Sequence, residues 1–424
     1  MVKLAYGVDF GTTNSAIGVL SSGGDPIVIP VDANGSKMMP SILYFPNEER
    51  GVHIGEGAIS EYLEWRDGRF IQSIKTILPS RTFTGTRIGF DVYEAADLVA
   101  LILERLKEIG DRFTGKDIRR AVFGRPVQFS FDHMDDRRAE NRLREAAEIA
   151  GFEEVRFQPE PVAAALAFEI SLKKPCLALV ADFGGGTSDF TLVHLGPNRL
   201  TKSDRSSDVI ASCGLSLAGD AFDARLMSAK IKGLFGGGST HAGFLPGKRL
   251  PIPSTLLSDL CNKGRVISLY NEGVRDQLAS ILRTTDDPDG INRLIKLVDY
   301  NLGYSIFSVI ERGKKELSSE DSTRLHFDEK GINVDTTVFR DEFEHLIAGD
   351  VVRLANCVDL LLRDAGVTAD QINAVYPTGG SSLVPAVRRM LAGKFGENKL
   401  AFSKETFLSV VTGLTLSTNY LFTE

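Results

Sequence analysis

Cysteine is scarce in this 424-residue chain: Cys176, Cys213, Cys261 and Cys357 are widely scattered and include no CxxC pair. That spacing argues against a zinc site or a disulfide framework and fits a reducing cytosol. The six histidines form no cluster with metal-ligand spacing either. Basic charge is also short, with 49 Lys and Arg against 56 Asp and Glu and a formal net charge of −7. No basic field waits for nucleic acid or acidic lipid, so a polyphosphate would have to be met locally, by backbone amides, a metal and one or two lysines. No apolar run reaches the roughly 18–20 residues that span a bilayer. The opening Met-Val-Lys leads directly into a strand-like stretch, with no apolar h-region or cleavage site. The expected address is the cytoplasm, with neither nucleic acid nor membrane among the partners.

What is present is an ordinary soluble composition, 43% hydrophobic and 25% charged. The length exceeds one compact core and implies two or more domains. Residues 4–20 read as two buried strands, LAYGVDF and AIGVL, joined by GTTNS, and VIPV at 28–31 as another strand. Leu98, Ile102, Leu106 and Ile109 share one face of a helix over 95–110. A strand around Ala121–Phe123 stops before Pro126, and an amphipathic helix runs from Arg137 to Ala150, ended by Gly151. From Leu177 comes a second strand-turn-strand, LALVADF, GGGTSD and FTLVHL. Residues 236–253, rich in Gly and Pro, read as an exposed loop. A mainly helical region follows from about 256 to 318, then strands near 324–339, a strand Ala374–Pro377 and a helix from Val384.

The two glycine turns are near copies. Asp9-Phe10-Gly11-Thr12-Thr13-Asn14-Ser15 and Asp182-Phe183-Gly184-Gly185-Gly186-Thr187-Ser188 are offset by 182 − 9 = 173 residues, and each lies between apolar strands. Duplication at domain scale suggests two related lobes rather than a solenoid, whose repeats are about 20–50 residues long. Glycine lets successive backbone N–H groups form a concave anion site. Thr12, Thr13 and Thr187 add hydroxyls, and Asp9, Asp182 and Asp189 supply carboxylates for magnesium, which takes few protein ligands. Either turn alone is adequately explained as a tight turn; the pair makes two jaws of a phosphate clamp.

Other candidates have bland readings of their own. Thr378-Gly379-Gly380-Ser381-Ser382 leads from a strand into a helix, presenting bare amides or simply turning the chain. Glu311, Lys314 and Ser318 share a helical face, equally suited to solvent. Glu160-Pro161 is explained by helix capping. Lys75, in FIQSIKTIL, is by itself a surface lysine.

Taken in order, these segments resemble the actin-like ATPase superfamily, and more narrowly the ATPase domain of DnaK-type heat-shock seventy chaperones. The matching blocks are GVDFGTTNS, NGSKMMPSILYF, IGEGA, SIKTI, EPVAAALAF, DFGGGTSDF, GDAFD, ERGKKELSS and GGSSLVP, which run through nearly the whole chain. The resemblance implies an α/β actin-like ATPase fold: two lobes, each with a ribonuclease H-like mixed sheet, and a central nucleotide cleft. Lobe I would take 1–172 with 402–424, its subdomain at about 39–117. Lobe II would take 173–401, its helical subdomain at about 224–348. It further implies ATP or ADP with magnesium. Asp9 and Asp182 would hold the hydrated metal, while Gly11, Thr12, Thr13, Asn14, Gly184, Gly185, Gly186 and Thr187 meet the phosphates. Lys75 would place the attacking water, Glu160 orient the metal and nucleophile shell, and Asp189 assist proton removal. Gly219, Glu311, Lys314, Lys315 and Ser318 would serve the ribose and adenine, and Gly379, Gly380 and Ser381 close over the nucleotide.

The departures from the family pattern are specific. Leu383 stands where an adenine-stacking arginine is usual, and Lys315 replaces its partner arginine, so weaker or less selective adenine binding is expected. Pro126 matches a switch proline within RPVQF, but its partner arginine has no clean match among Arg137, Arg138 and Arg142. The chain stops at Glu424, so no substrate-binding domain is expected, as in short stand-alone bacterial members. The implied function is a slow, magnesium-dependent ATPase switch, monomeric and acting on protein partners, co-chaperones among them. The alternatives are a non-hydrolysing ATP-binding scaffold, an actin-like assembly protein, or a small-molecule kinase, for which no aspartate-base motif is found.

Overall fold

The computed structural model describes residues 4–47, 51–65, 67–130, 132–199, 202, 205–243, 245, 247–402 and 406–422. The chain falls into two compact units: Met1–Ser216 with Ala355–Ser382 and Arg389–Glu424, and Leu217–Leu354 with Leu383–Arg388. The boundary expected at 172/173 lies inside the first unit, and the range 224–348 lies inside the second. Positions 403–405 and 423–424 of the expected lobe I segment fall outside the described residues.

The first unit is built on two mixed sheets. In one, the spatial order is Glu154–Pro159, Arg120–Arg125, Tyr6–Phe10, Asn14–Leu20 and Pro26–Val28, with Met39–Pro40 also paired to Asn14–Leu20. Tyr6–Phe10 runs parallel to Arg120–Arg125 and antiparallel to Asn14–Leu20. The other sheet is ordered Val209–Leu215, Ser188–Leu195, Cys176–Phe183 and Ala374–Thr378. It repeats the scheme, because Cys176–Phe183 is antiparallel to its hairpin partner and parallel to Ala374–Thr378. The central strands are apolar on both faces because both faces are covered.

One face of the first sheet buries Tyr6, Val8 and Phe10 against Leu98, Ile102 and Leu106 of helix Ala95–Thr114 and Leu143 of helix His133–Ile149. Both helices begin at side-chain caps: Glu94 and Asp97 form a capping box, and Asp132 accepts from the amides of Met134 and Asp135. On its other face helix Ser409–Leu421 intervenes, and helix Glu160–Glu169 follows, placing Val162, Ala164 and Ala165 on the second sheet. Helix Ser409–Leu421 is buried despite its hydroxyls because Thr415, Ser417 and Thr418 return their hydrogen bonds to carbonyls of the same helix. Its backbone runs very close to its neighbours: a Cβ on Gly7 would meet Thr415 N at 2.3 Å, and one on Gly413 would meet the Ala163 carbonyl oxygen at 1.7 Å.

The second unit carries helices Ser254–Leu260, Glu272–Leu282, Pro288–Asp299 and Gly303–Glu316, then the hairpin Ser322–Glu329 and Ile332–Phe339. Two expectations change. Residues 236–253 are not loop throughout, since Thr240–Ala242 pairs with Arg249–Pro251, tied through Thr240 to Asp286. A 25-residue helix, Arg340–Asp364, was unread, its charged residues obscuring the apolar stripe of Phe343, Ile347, Leu354 and Leu361.

Candidate functional site

The two glycine turns close hairpins of matching register. Asp9 lies opposite Ala16 in the first, and Asp182 lies opposite Asp189 in the second. Gly11 leaves no room for a side chain, as a Cβ would meet the Asn14 carbonyl oxygen at 2.2 Å. Its own carbonyl accepts from Ser41 Oγ at 2.8 Å, and the Ser41 amide donates to the Thr13 carbonyl at 2.9 Å. The second turn is closed by Gly184 N donating to the Thr187 carbonyl at 2.9 Å. Thr187 Oγ1 donates to Asp189 Oδ2 at 3.0 Å. These bonds shape both loops from beneath and leave Thr12, Thr13, Gly185 and Gly186 partly exposed.

The strand Ala374–Thr378 delivers the third glycine segment to the same place. Thr378 Oγ1 donates to Asp182 Oδ1 at 2.7 Å. Gly379, at φ 75°, passes so near that a Cβ would meet the Phe183 carbonyl oxygen at 2.3 Å. Ser381 Oγ reaches the Gly184 carbonyl at 3.4 Å. Gly380 and Ser381 belong to a short 3₁₀ turn, Gly380–Leu383, that precedes the helix Pro385–Phe395.

Lys75 is not a surface lysine. It sits in the 3₁₀ turn Ile74–Ile77, its side chain 12% exposed, and its ammonium bonds Glu160 Oε1 at 2.7 Å. Ser73, immediately before the turn, holds a left-handed φ of 57°, an uncommon setting for a residue with a side chain. Arg142, from helix His133–Ile149, donates to the carbonyls of Leu78 and Ser80 at 2.9 Å, and to those of Ile77 and Phe83. One guanidinium thus gathers the backbone that carries Lys75. Arg142 is therefore the arginine with a structural role, while Arg138 meets Pro79 and Asp135.

Charge in this unit is unbalanced. Burial, then Glu160, push the Asp9 carboxyl up to about 7, against the opposing pull of Lys75. Burial and Asp182 likewise push Asp189 up to about 7. Burial also raises Asp182, although the Thr378 hydroxyl works the other way. Burial alone would lower the Lys75 ammonium, but Glu160 and Asp9 outweigh it and hold it above its ordinary value. Four carboxyl groups share one lysine, a donor set with an unmet demand for positive charge. A hydrated magnesium ion fits it, being held by one or two carboxylates and keeping its own waters. Among the described residues no group of three or more His, Cys, Asp or Glu is placed to hold a metal ion, so magnesium would have to bind through fewer protein ligands.

The second unit holds a separate cluster. Lys314, on helix Gly303–Glu316, bonds Asp223 Oδ2 at 2.8 Å and the Gly219 carbonyl at 3.1 Å. Asp223 Oδ1 is buried without a hydrogen-bond partner. Burial opposes ionisation of Glu311, yet Lys263 and Lys315, each at 2.8 Å, hold it down at about 2. Ser318 lies past the helix and bonds the Lys314 carbonyl at 3.4 Å. Glu311 and Lys314 are therefore paired rather than a freely solvated face. Lys315 is 68% exposed, and Leu383, in the same unit, is 43% exposed.

Sequence reasoning missed Ser41, Thr378 as a partner of Asp182, and Lys263, and it named Arg142 only as one of three unmatched arginines. Each pairs with a residue more than 25 positions away and carries no local periodic signal. A match to the family model described as "Hsp70 protein" covers residues 5–84, 80–233 and 303–404. These spans contain both glycine turns, Lys75, Glu160, the Glu311–Ser318 segment and Gly379–Ser381.

Proposed function

This chain belongs to the Hsp70 family, and on that premise we propose a magnesium-dependent ATPase of low turnover, serving as a nucleotide switch on protein partners. The family is one of ATP-binding chaperones with the actin-like fold, and its members are ATPases. The observation that carries the finer reading is the first unit's cluster of Asp9, Glu160, Asp182 and Asp189 around Lys75, beside two partly exposed glycine turns.

The chemistry follows from that arrangement. The turn amides with Thr12, Thr13 and Thr187 receive phosphate oxygens, and Gly379 and Gly380 approach closely because no side chain intervenes. Magnesium at Asp9 and Asp182 would supply positive charge to the transferring phosphoryl group. Lys75, fixed by Glu160, positions the attacking water, and Asp189 takes up its proton near neutral pH. Phosphoryl transfer needs little beyond such positioning and charge stabilisation. For the second unit, ribose and adenine contacts by Gly219, Glu311, Lys314, Lys315 and Ser318 are proposed on the family resemblance. Protein partners that include co-chaperones, a monomeric state and a cytoplasmic address belong to the same proposal. No helix among the described residues is long and apolar enough to cross a membrane.

Single-turnover hydrolysis of γ-labelled ATP with magnesium tests the reading. Label released as free phosphate supports it. Tightly bound but uncleaved ATP would overturn the ATPase step and leave a nucleotide-stabilised scaffold. Arg142→Ala provides a second check, because it loosens the turn under Lys75 without touching the phosphate loops. Turnover should fall roughly 10-fold with nucleotide affinity retained, since small misplacements of a catalytic group cost that much or more. An unchanged rate would remove Arg142 as the residue that positions Lys75.

A further inference from the structure

Cys213 and Cys357 stand apart from all the chemistry above. Their sulfurs are 2.6 Å apart although 144 residues separate them along the chain. That is inside van der Waals contact and longer than a disulfide bond of about 2.05 Å. Cys213 lies on strand Val209–Leu215 and is half-buried; Cys357 lies on helix Arg340–Asp364 and is buried. Both are free thiols.

We propose that Cys213 and Cys357 form a reversible dithiol–disulfide pair, oxidised by a hydroperoxide, that ties this strand to this helix. A hydrogen bond between the two sulfurs, in which either can donate, favours the thiolate of Cys357 against the effect of burial. The Cys357 sulfur attacks a peroxide oxygen and breaks the O–O bond, giving a sulfenic acid and an oxyanion that takes up a proton. The Cys213 sulfur then attacks the sulfenic sulfur, forming the S–S bond and releasing water. The two thiols are oxidised by two electrons and the peroxide is reduced by two.

The position of the pair gives oxidation a consequence. The segment Leu217–Leu354 departs 217 − 213 = 4 residues after Cys213 and returns 357 − 354 = 3 residues before Cys357. The bond would close that long insertion at its root. It would also fix the strand next to Asp189, since Gly214, adjacent to Cys213, lies opposite Asp189 with room for no side chain: a Cβ there would meet Asp189 Oδ1 at 2.5 Å.

The whole protein should be treated with hydrogen peroxide, denatured and alkylated, then digested and weighed. The four cysteine thiols of the chain should fall to two, with one linked peptide pair joining Cys213 to Cys357 and full recovery after dithiothreitol. Limited proteolysis within 217–354 should slow several-fold on oxidation. Cys213→Ser and Cys357→Ser, each confirmed folded by circular dichroism, should lose both the linked pair and the slower cleavage. Four surviving thiols, or a link through Cys176 or Cys261, would overturn the pairing. A Cys213–Cys357 link that leaves proteolysis unchanged would overturn the tether.

Discussion

Lys75→Ala is expected to lower single-turnover hydrolysis at least about 100-fold while nucleotide affinity stays within a few-fold of the parent, as for loss of one preorganised charge-stabilising group. Lys75 is the cation of the carboxylate cluster, and the glycine turns proposed to meet the phosphates do not depend on it. Removing it also leaves Glu160 without its 2.7 Å partner. An unpaired, largely buried carboxylate can cost several kcal/mol of stability, and lower stability could imitate lower activity. The double variant Lys75→Ala/Glu160→Gln separates the two effects, because it removes the orphaned charge. It should regain stability in chemical denaturation, which would assign the stability lost in Lys75→Ala to the orphaned carboxylate. Unchanged turnover in Lys75→Ala would sink the role assigned to this lysine.

Gly413→Ala should destabilise the first unit by more than about 3 kcal/mol, beyond the usual cost of overpacking. A methyl at that position would lie 1.7 Å from the Ala163 carbonyl oxygen and 2.4 Å from its carbon. Both are backbone atoms, which cannot turn aside as a flexible side chain could. Nor can helix Ser409–Leu421 retreat, because Thr415 already lies against Gly7 and Gly18 of the first sheet, where added Cβ atoms would each come within 2.3 Å. The gain of about 1 kcal/mol in helix propensity from replacing glycine is smaller than this clash. A denaturation midpoint equal to the parent's would mean that the two helices tolerate a wider spacing.

The elements nearest the chemistry were the most legible. Both hairpins announced themselves through apolar strands on either side of a duplicated glycine turn, and Asp9, Asp182 and Asp189 came with them. Lys75 was different: its local sequence reads as a surface residue, and only likeness to a family singled it out. Its partner Glu160 is 85 residues away, and the arginine holding its turn lies on another helix. Cys213 and Cys357 look unrelated in sequence for the same reason. Periodicity reports which face of an element is buried, not which distant element covers it. Helix Ser409–Leu421 gives no helical signal in the sequence, because its glycine and hydroxyl residues suit close backbone packing and obscure any amphipathic stripe.

The duplicated hairpins agree in backbone and differ in charge. Asp189 faces Asp182, while the position 173 residues earlier, 189 − 173 = 16, is Ala16 facing Asp9. Two identical jaws would offer an attacking water two equivalent directions of approach, related by the internal repeat. The proton acceptor proposed at Asp189 sits on one jaw alone, which would break that equivalence and give the proposed reaction a handedness that the fold does not impose. Ala16→Asp would restore formal symmetry, and with it a fifth carboxyl group in a cluster already short of positive charge.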